Sequence, residues 1–154
     1  VNDVKIRDFL KIKSRPVVTI SPNDTVSAAI QKLIENDIGA LPVCDDKGML
    51  VGIVSERDLL RICHLQSSAI GSTKVEEAMT KHVAIGTPED DVDYVASVMK
   101  QKRIRHLPIL ADEKLEGMVS MRDIIDVQLE EAQAEIRYAR LLKTSHLGGR
   151  RPLV

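Results

Sequence analysis

The seven residues GIVSERD at 52–58 return as GMVSMRD at 117–123, and they are part of a longer internal repeat. Aligning Pro42 with Pro108 sets an offset of 66 positions. The same offset places Pro22 on Pro88, Asp24 on Asp90, Val26 on Val92, Ile38 on Ile104 and Leu41 on Leu107. One residue is lost between DDKGML and ADEKL; at the resulting offset of 65, Gly52, Val54, Ser55, Arg57 and Asp58 fall on Gly117, Val119, Ser120, Arg122 and Asp123. A period of this length exceeds most solenoid units, and two copies are fewer than a solenoid needs. The chain therefore reads as a duplicated α+β unit.

Each copy carries the same order of signals. PVVTI is a short β-branched run that stops at Ser21-Pro22, which is turn chemistry. NDTVSAAIQKLIEND follows as an amphipathic helix capped by Asn23 or Asp24, with Val26, Ala29, Ile30, Leu33 and Ile34 as its buried stripe. ALPVCD and MLVGIVS read as two strands joined by the turn DDKG, and SERDLLRICHL as a second helix opened by Ser55. The second copy repeats this as HVAI, then EDDVDYVASVMKQ with Val92, Val95, Ala96 and Met99 buried, then HLPIL, LEGMVS and SMRDIIDVQ. The predicted architecture is two β-α-β-β-α repeats packed with pseudo-twofold symmetry, since each buries its apolar helix faces most simply against the other. The boundaries are 1–68 for the first repeat with a short lead-in helix, 69–128 for the second, and 129–154 for a C-terminal helix and tail. That helix continues from 124 to about 144 with Ile125, Leu129, Ala132, Ile136 and Ala139 near a 3.5-residue spacing, which fits either a solvated helix or a seam against a second subunit. GGRRPLV reads as a frayed terminus.

Composition narrows the function. The formal charge is −1, from 22 basic and 23 acidic residues, so nothing draws the chain as a whole to nucleic acid or to an anionic membrane. Phe9, Tyr94 and Tyr138 are the whole aromatic supply, too few for the stacking platforms of single-strand binders. Both features argue against nucleic acid as a partner. No apolar run reaches the ~20 residues of a membrane span. The N-terminus lacks a signal-peptide pattern, and Cys44 and Cys63 are too far apart for a C-x-x-C pair. A cytoplasmic protein with two buried thiols is the expectation. No histidine spacing matches a metal site and neither cysteine has a nucleophile's setting, so no catalytic or metal-ligating residue is assigned.

The repeated junction admits two accounts. Ser at a helix N-cap with Asp three residues on is a capping box with Asp in place of Glu. The same strand-to-helix geometry leaves N–H groups beside a Ser hydroxyl, which is an anion site, and the Asp can accept two hydrogen bonds from a ribose diol. Basic side chains gather in KQKRIRHLPI. Lys100 and Lys102 suit the end of a helix, whereas Arg105 and His106 sit at the start of a strand, opposite the small Gly39 and Ala40 if the halves pair twofold.

These residues carry a resemblance. Two tandem units with a turn Pro before the first helix, an ALPV or HLPI strand and a Gly-φ-φ-Ser-x-x-Asp junction resemble a pair of CBS domains, the Bateman module, over roughly residues 4–128. The overall pattern is similar to small stand-alone bacterial CBS-pair proteins. The resemblance implies an adenine nucleotide (AMP, ADP, ATP, NAD or S-adenosylmethionine) in one or both seam clefts. By position, Asp123 would hold the ribose, and Ser120 and Arg122 the phosphate side. The base would lie against Ile38, Gly39, Ala40 and Met118, closed over by Arg15 and Pro16. The related site would use Ser55, Arg57 and Asp58 with Ile53, Ile104, Arg105 and His106, closed by Thr80, Lys81 and His82. A regulatory sensor rather than an enzyme is implied, with a homodimer as the usual assembly. The alternative is a dimerisation or protein-interaction module that uses the same Ser and Asp only as caps.

Overall fold

The structure, a computed structural model, describes residues 4–147. The GGRRPLV tail lies outside the described residues. Two compact units result, Val1–Val119 and Ser120–Val154. The first contains α1 (Ile6–Lys13), α2 (Val26–Asn36), β1 (Ala40–Cys44), β2 (Leu50–Ser55), α3 (Glu56–Leu65), α4 (Val75–Ala78), α5 (Val92–Lys102), β3 (His106–Ala111) and β4 (Lys114–Ser120), the last reaching the boundary. The second is α6 (Met121–Leu147). At 27 residues, α6 is about 40 Å long. The α+β class and the doubled order of elements are as the repeat predicts.

β1 and β2 form an antiparallel pair in the register Ala40↔Ser55 to Val43↔Gly52, with a bulge before Cys44↔Leu50. β3 pairs with β4 in a separate two-stranded sheet. The hairpin between them turns on Asp112 and Glu113, both at positive φ (49° and 65°), whereas the first copy uses Gly48 at φ 78°. The one-residue offset change is therefore a change of turn.

The first strand of each copy is shorter than PVVTI and HVAI imply. It is a single parallel bridge, Ile20↔Val43 in one copy and Gly86↔Ile109 in the other. The bonds are the same twice: Ile20 N–H donates to Pro42 O (3.1 Å) and Gly86 N–H to Pro108 O (2.9 Å). A proline has no N–H to give, so the repeated Pro offers this neighbouring segment only its carbonyl.

Helix termini also depart in detail. The cap of α2 is Thr25, whose side chain accepts from Ala28 N–H, not Asn23 or Asp24. Asp24 instead closes the preceding turn by accepting from Ser21 N–H, as Asp90 does from Thr87 N–H. Both helices stop at a left-handed residue, Asp37 (φ 50°) and Arg103 (φ 54°). Of the predicted stripe, Val26, Ala29 and Leu33 are buried while Ile34 is 75% exposed, because the core-facing arc of an 11-residue helix is narrower than its apolar content.

The element that the repeat analysis did not find is α4, and it explains how the two copies hold together. In α1, Ile6 N–H donates to Asp90 O and Arg7 N–H to Pro88 O (both 2.9 Å), and Val92 N–H donates back to Val4 O. In α4, Val75 N–H donates to Asp24 O and Glu76 N–H to Pro22 O, and Val26 N–H donates back to Thr73 O. Each copy's leading segment thus docks on the other copy's helix start, and Ile6 and Val75 are fully buried there. The exchange accounts for the glycine that opens each repeated heptapeptide. A Cβ on Gly52 would stand 2.6 Å from Met79 Sδ, and one on Gly117 would stand 2.6 Å from Leu10 Cδ2. The lead-in side chain of the opposite copy occupies that space.

Candidate functional site

At the first junction the capping box is complete. Asp58 Oδ2 accepts from Ser55 N–H and from Ser55 Oγ–H (2.9 Å each), and Ser55 Oγ accepts from Asp58 N–H (3.4 Å). These bonds use one carboxylate oxygen, and Asp58 Oδ1 has no protein partner among the described residues. In the second unit Asp123 Oδ2 accepts from Ser120 N–H (2.8 Å) and Ser120 Oγ from Asp123 N–H (3.1 Å). Both sequences therefore fold as caps.

Ile53, two residues before Ser55, pairs with Thr80: Ile53 N–H donates to Thr80 O (3.0 Å) and Thr80 N–H to Ile53 O (2.8 Å). The residues that follow Thr80 line an open cleft of about 700 Å³ made by Lys81, His82, Val83, Ala84, Lys102 and Ile104. The strand that delivers Ser55 and Asp58 is thus hydrogen-bonded to the segment that forms this cleft. The failure of HVAI to form a strand bears on it directly, since the chain joins the sheet only at Gly86 and leaves His82–Ala84 to line the opening. Three cationic or ionisable side chains, Lys81, His82 and Lys102, surround it. Arg57 and Arg105 are exposed.

His106 packs on Gly39. A Cβ at Gly39 would stand 3.2 Å from His106 Cε1, 3.3 Å from Nε2 and 3.6 Å from Glu56 Cδ. The small residue opposite the basic pair does leave room, and an imidazole and a carboxylate share it. Ile38 packs against the core of the first repeat and Ala40 is buried. Arg15 and Pro16 are exposed just after α1. Met118 is half-buried in β4, and its carbonyl accepts from Lys13 Nζ (3.0 Å). Ser120, Arg122 and Asp123 belong to the second unit.

Sequence reasoning missed Val83 and Ala84, Lys102 as a cleft residue, and Glu56 and Lys13. Lys102 could have been found from its position two residues before Ile104. Lys13 had no signal, because it reaches β4 only through the exchange of α1. Cys44 and Cys63 are half-buried, not buried as expected; partial burial, with the Asp45 charge beside it, raises the Cys44 thiol above its ordinary range, so it stays protonated at neutral pH. Among the described residues no group of three or more His, Cys, Asp or Glu is placed to hold a metal ion, and no helix is long and apolar enough to cross a membrane.

The family model for the CBS domain matches twice, at residues 6–65 and 75–130. The chain belongs to the CBS-domain family. It is 32% identical over 140 residues to the CBS domain-containing protein CBSX3, mitochondrial, of Arabidopsis thaliana, covering 86% of this chain and 68% of that protein. It is 34% identical to the inosine-5'-monophosphate dehydrogenase of Methanocaldococcus jannaschii over 96% of this chain, which spans only 28% of that enzyme. Among solved structures, a CBS-domain containing protein from Agrobacterium tumefaciens matches with TM-score 0.77 and 32% identity, over 81% of this chain and 99% of that one. The CBS domain pair of protein MJ0100, solved with 5-methylthioadenosine and S-adenosyl-L-methionine, matches with TM-score 0.75 and 28% identity, over 84% of this chain and 99% of that one.

Proposed function

We propose that the chain is a cytoplasmic regulatory sensor, not an enzyme, that binds an adenine nucleotide of the AMP, ADP, ATP or NAD class and responds through a change of conformation or association. The observation that carries the reading is the divided carboxylate of Asp58. Oδ2 is engaged in the helix cap while Oδ1 has no protein partner, so capping and acceptance from a ribose diol use different oxygens and do not compete. The charges suit the rest of a nucleotide: Lys81, His82 and Lys102 line the adjoining cleft, with Arg57 and Arg105 exposed for phosphates. Ile53 and Ile104 supply apolar surface for a base. The adenosyl ligands held by the MJ0100 pair support the same ligand class. By the repeat, Ser120, Arg122 and Asp123 are the counterparts of Ser55, Arg57 and Asp58 and supply the same atoms for a second nucleotide.

Isothermal titration with AMP, ADP, ATP, NAD and S-adenosylmethionine tests the reading. At least one should bind with a sub-millimolar dissociation constant, and Asp58→Asn should weaken it. The completed capping box also favours a second reading, a ligand-free interaction module. That reading predicts no heat and no melting shift with any of the five compounds, and such a result would displace the sensor.

A further inference from the structure

α6 leaves the apolar positions of one seam uncovered. Ile125, Leu129 and Ile136 are 49%, 55% and 54% exposed, and Ala132 and Ala139 on the same seam are exposed as well. With Lys143 they recur at alternating spacings of four and three residues, the heptad seam of a two-stranded coil. Two further features say what covers it. Charge is segregated along the helix, with Asp126, Glu130, Glu131 and Glu135 in its first part and Arg137, Arg140 and Lys143 in its last. Side-chain size also alternates, since Leu129 and Ile136 are large where Ala132 and Ala139 are small.

We propose that a second copy of this chain covers the seam, with the two α6 helices antiparallel. With the twofold axis at Ala134, Leu129 faces the partner's Ala139 and Ala132 faces the partner's Ile136, so each large side chain meets a small one and the layers fill. Asp126 comes beside the partner's Arg140, and the acidic part of each helix lies along the basic part of the other. A parallel pair in register would set Ala132 on Ala132 and Ala139 on Ala139, leaving gaps, and would lay the acidic parts together. The antiparallel arrangement also has unfavourable contacts: Ile125 faces the partner's Lys143 at each end of the seam, and the two Glu135 side chains fall on the same edge near the axis. The inference rests on α6 alone and is independent of nucleotide binding.

The test is sedimentation equilibrium of the full chain. The unaltered protein should dimerise, Leu129→Glu with Ile136→Glu should be monomeric, and Glu135→Gln should tighten the dimer. Because both apolar positions are exposed, far-UV circular dichroism of the double variant at a concentration where the unaltered protein is also monomeric should match it. Strand direction is read by disulfide trapping. A mixture of Leu129→Cys and Ala139→Cys chains should give a 129–139 link, assigned by peptide mass, that neither variant gives alone. A monomeric unaltered protein, a dimer that survives the double glutamate substitution, or homotypic 129–129 and 139–139 links would each overturn the proposal.

Discussion

Replacing Asp58 separates its two roles, because Asn and Ala remove different things. In Asp58→Ala the Ser55 N–H and hydroxyl lose a charged acceptor at 2.9 Å each, and the first turn of α3 loses a negative charge. The Ser55 hydroxyl remains as a cap for α3, so the loss is about 1–2 kcal/mol rather than the sum of two charged hydrogen bonds. For a chain of this length that lowers the melting temperature by about 2–8 °C. Asp58→Asn keeps one acceptor oxygen, which can serve the cap or a diol but not both. Its melting temperature without ligand should therefore fall by less than about half as much. Nucleotide affinity, however, should fall by about 1.5–3 kcal/mol, roughly 10- to 150-fold. Thermal melts with and without a nucleotide at 100 times its dissociation constant, where full binding adds about 2.7 kcal/mol, measure both effects on one instrument. An Asp58→Asn protein that melts normally and keeps the full ligand shift would refute the division of the carboxylate. An Asp58→Ala protein with an unchanged melt would refute the cap.

Three further outcomes follow from the fold. Ile6→Ala should cost about 2–5 kcal/mol by chemical denaturation, since this lead-in residue is fully buried against the second copy; a loss below 1 kcal/mol would mean that α1 does not hold the repeats together. Glu113→Gly should stabilise by about 0.5–1 kcal/mol, because a non-glycine residue at φ 65° is relieved at the tip of the second hairpin, and a lower denaturation midpoint would contradict the turn assignment. The folded protein holds the Cys44 proton more tightly than the unfolded chain does, so this contribution is constant below the ordinary thiol range and stability falls as pH rises above about 8.5. Cys44→Ser should flatten that part of the stability-versus-pH curve, and iodoacetamide labelling of Cys44 at pH 7.5 should be slower than for a free thiol.

The repeat made most of the fold legible because backbone-level signals survive duplication. The paired Pro and the Ser-x-x-Asp caps are each local and each occur twice. PVVTI and HVAI were misjudged in extent because β-branched content marks a residue's fitness for a sheet, not the number of partners that the sheet offers. α4 escaped notice because four residues give no period, and its likeness to the start of α1 lies in which carbonyls it meets rather than in side chains.

What the sequence determined by itself, then, is what depends on near neighbours: the Ser caps at 55 and 120, the α+β order, and the atoms available at each Ser-x-Arg-Asp junction. The tertiary structure alone decided that α1 and α4 are exchanged between copies, that Met79 and Leu10 require the glycines at 52 and 117, and that Lys102 joins Lys81 and His82 around one opening. Those facts rest on contacts between segments tens of residues apart, which packing brings together and no local spacing records. The opening glycine of GIVSERD is thus explained by a methionine that follows it by 27 positions, while its closing aspartate is explained by the serine three residues before it.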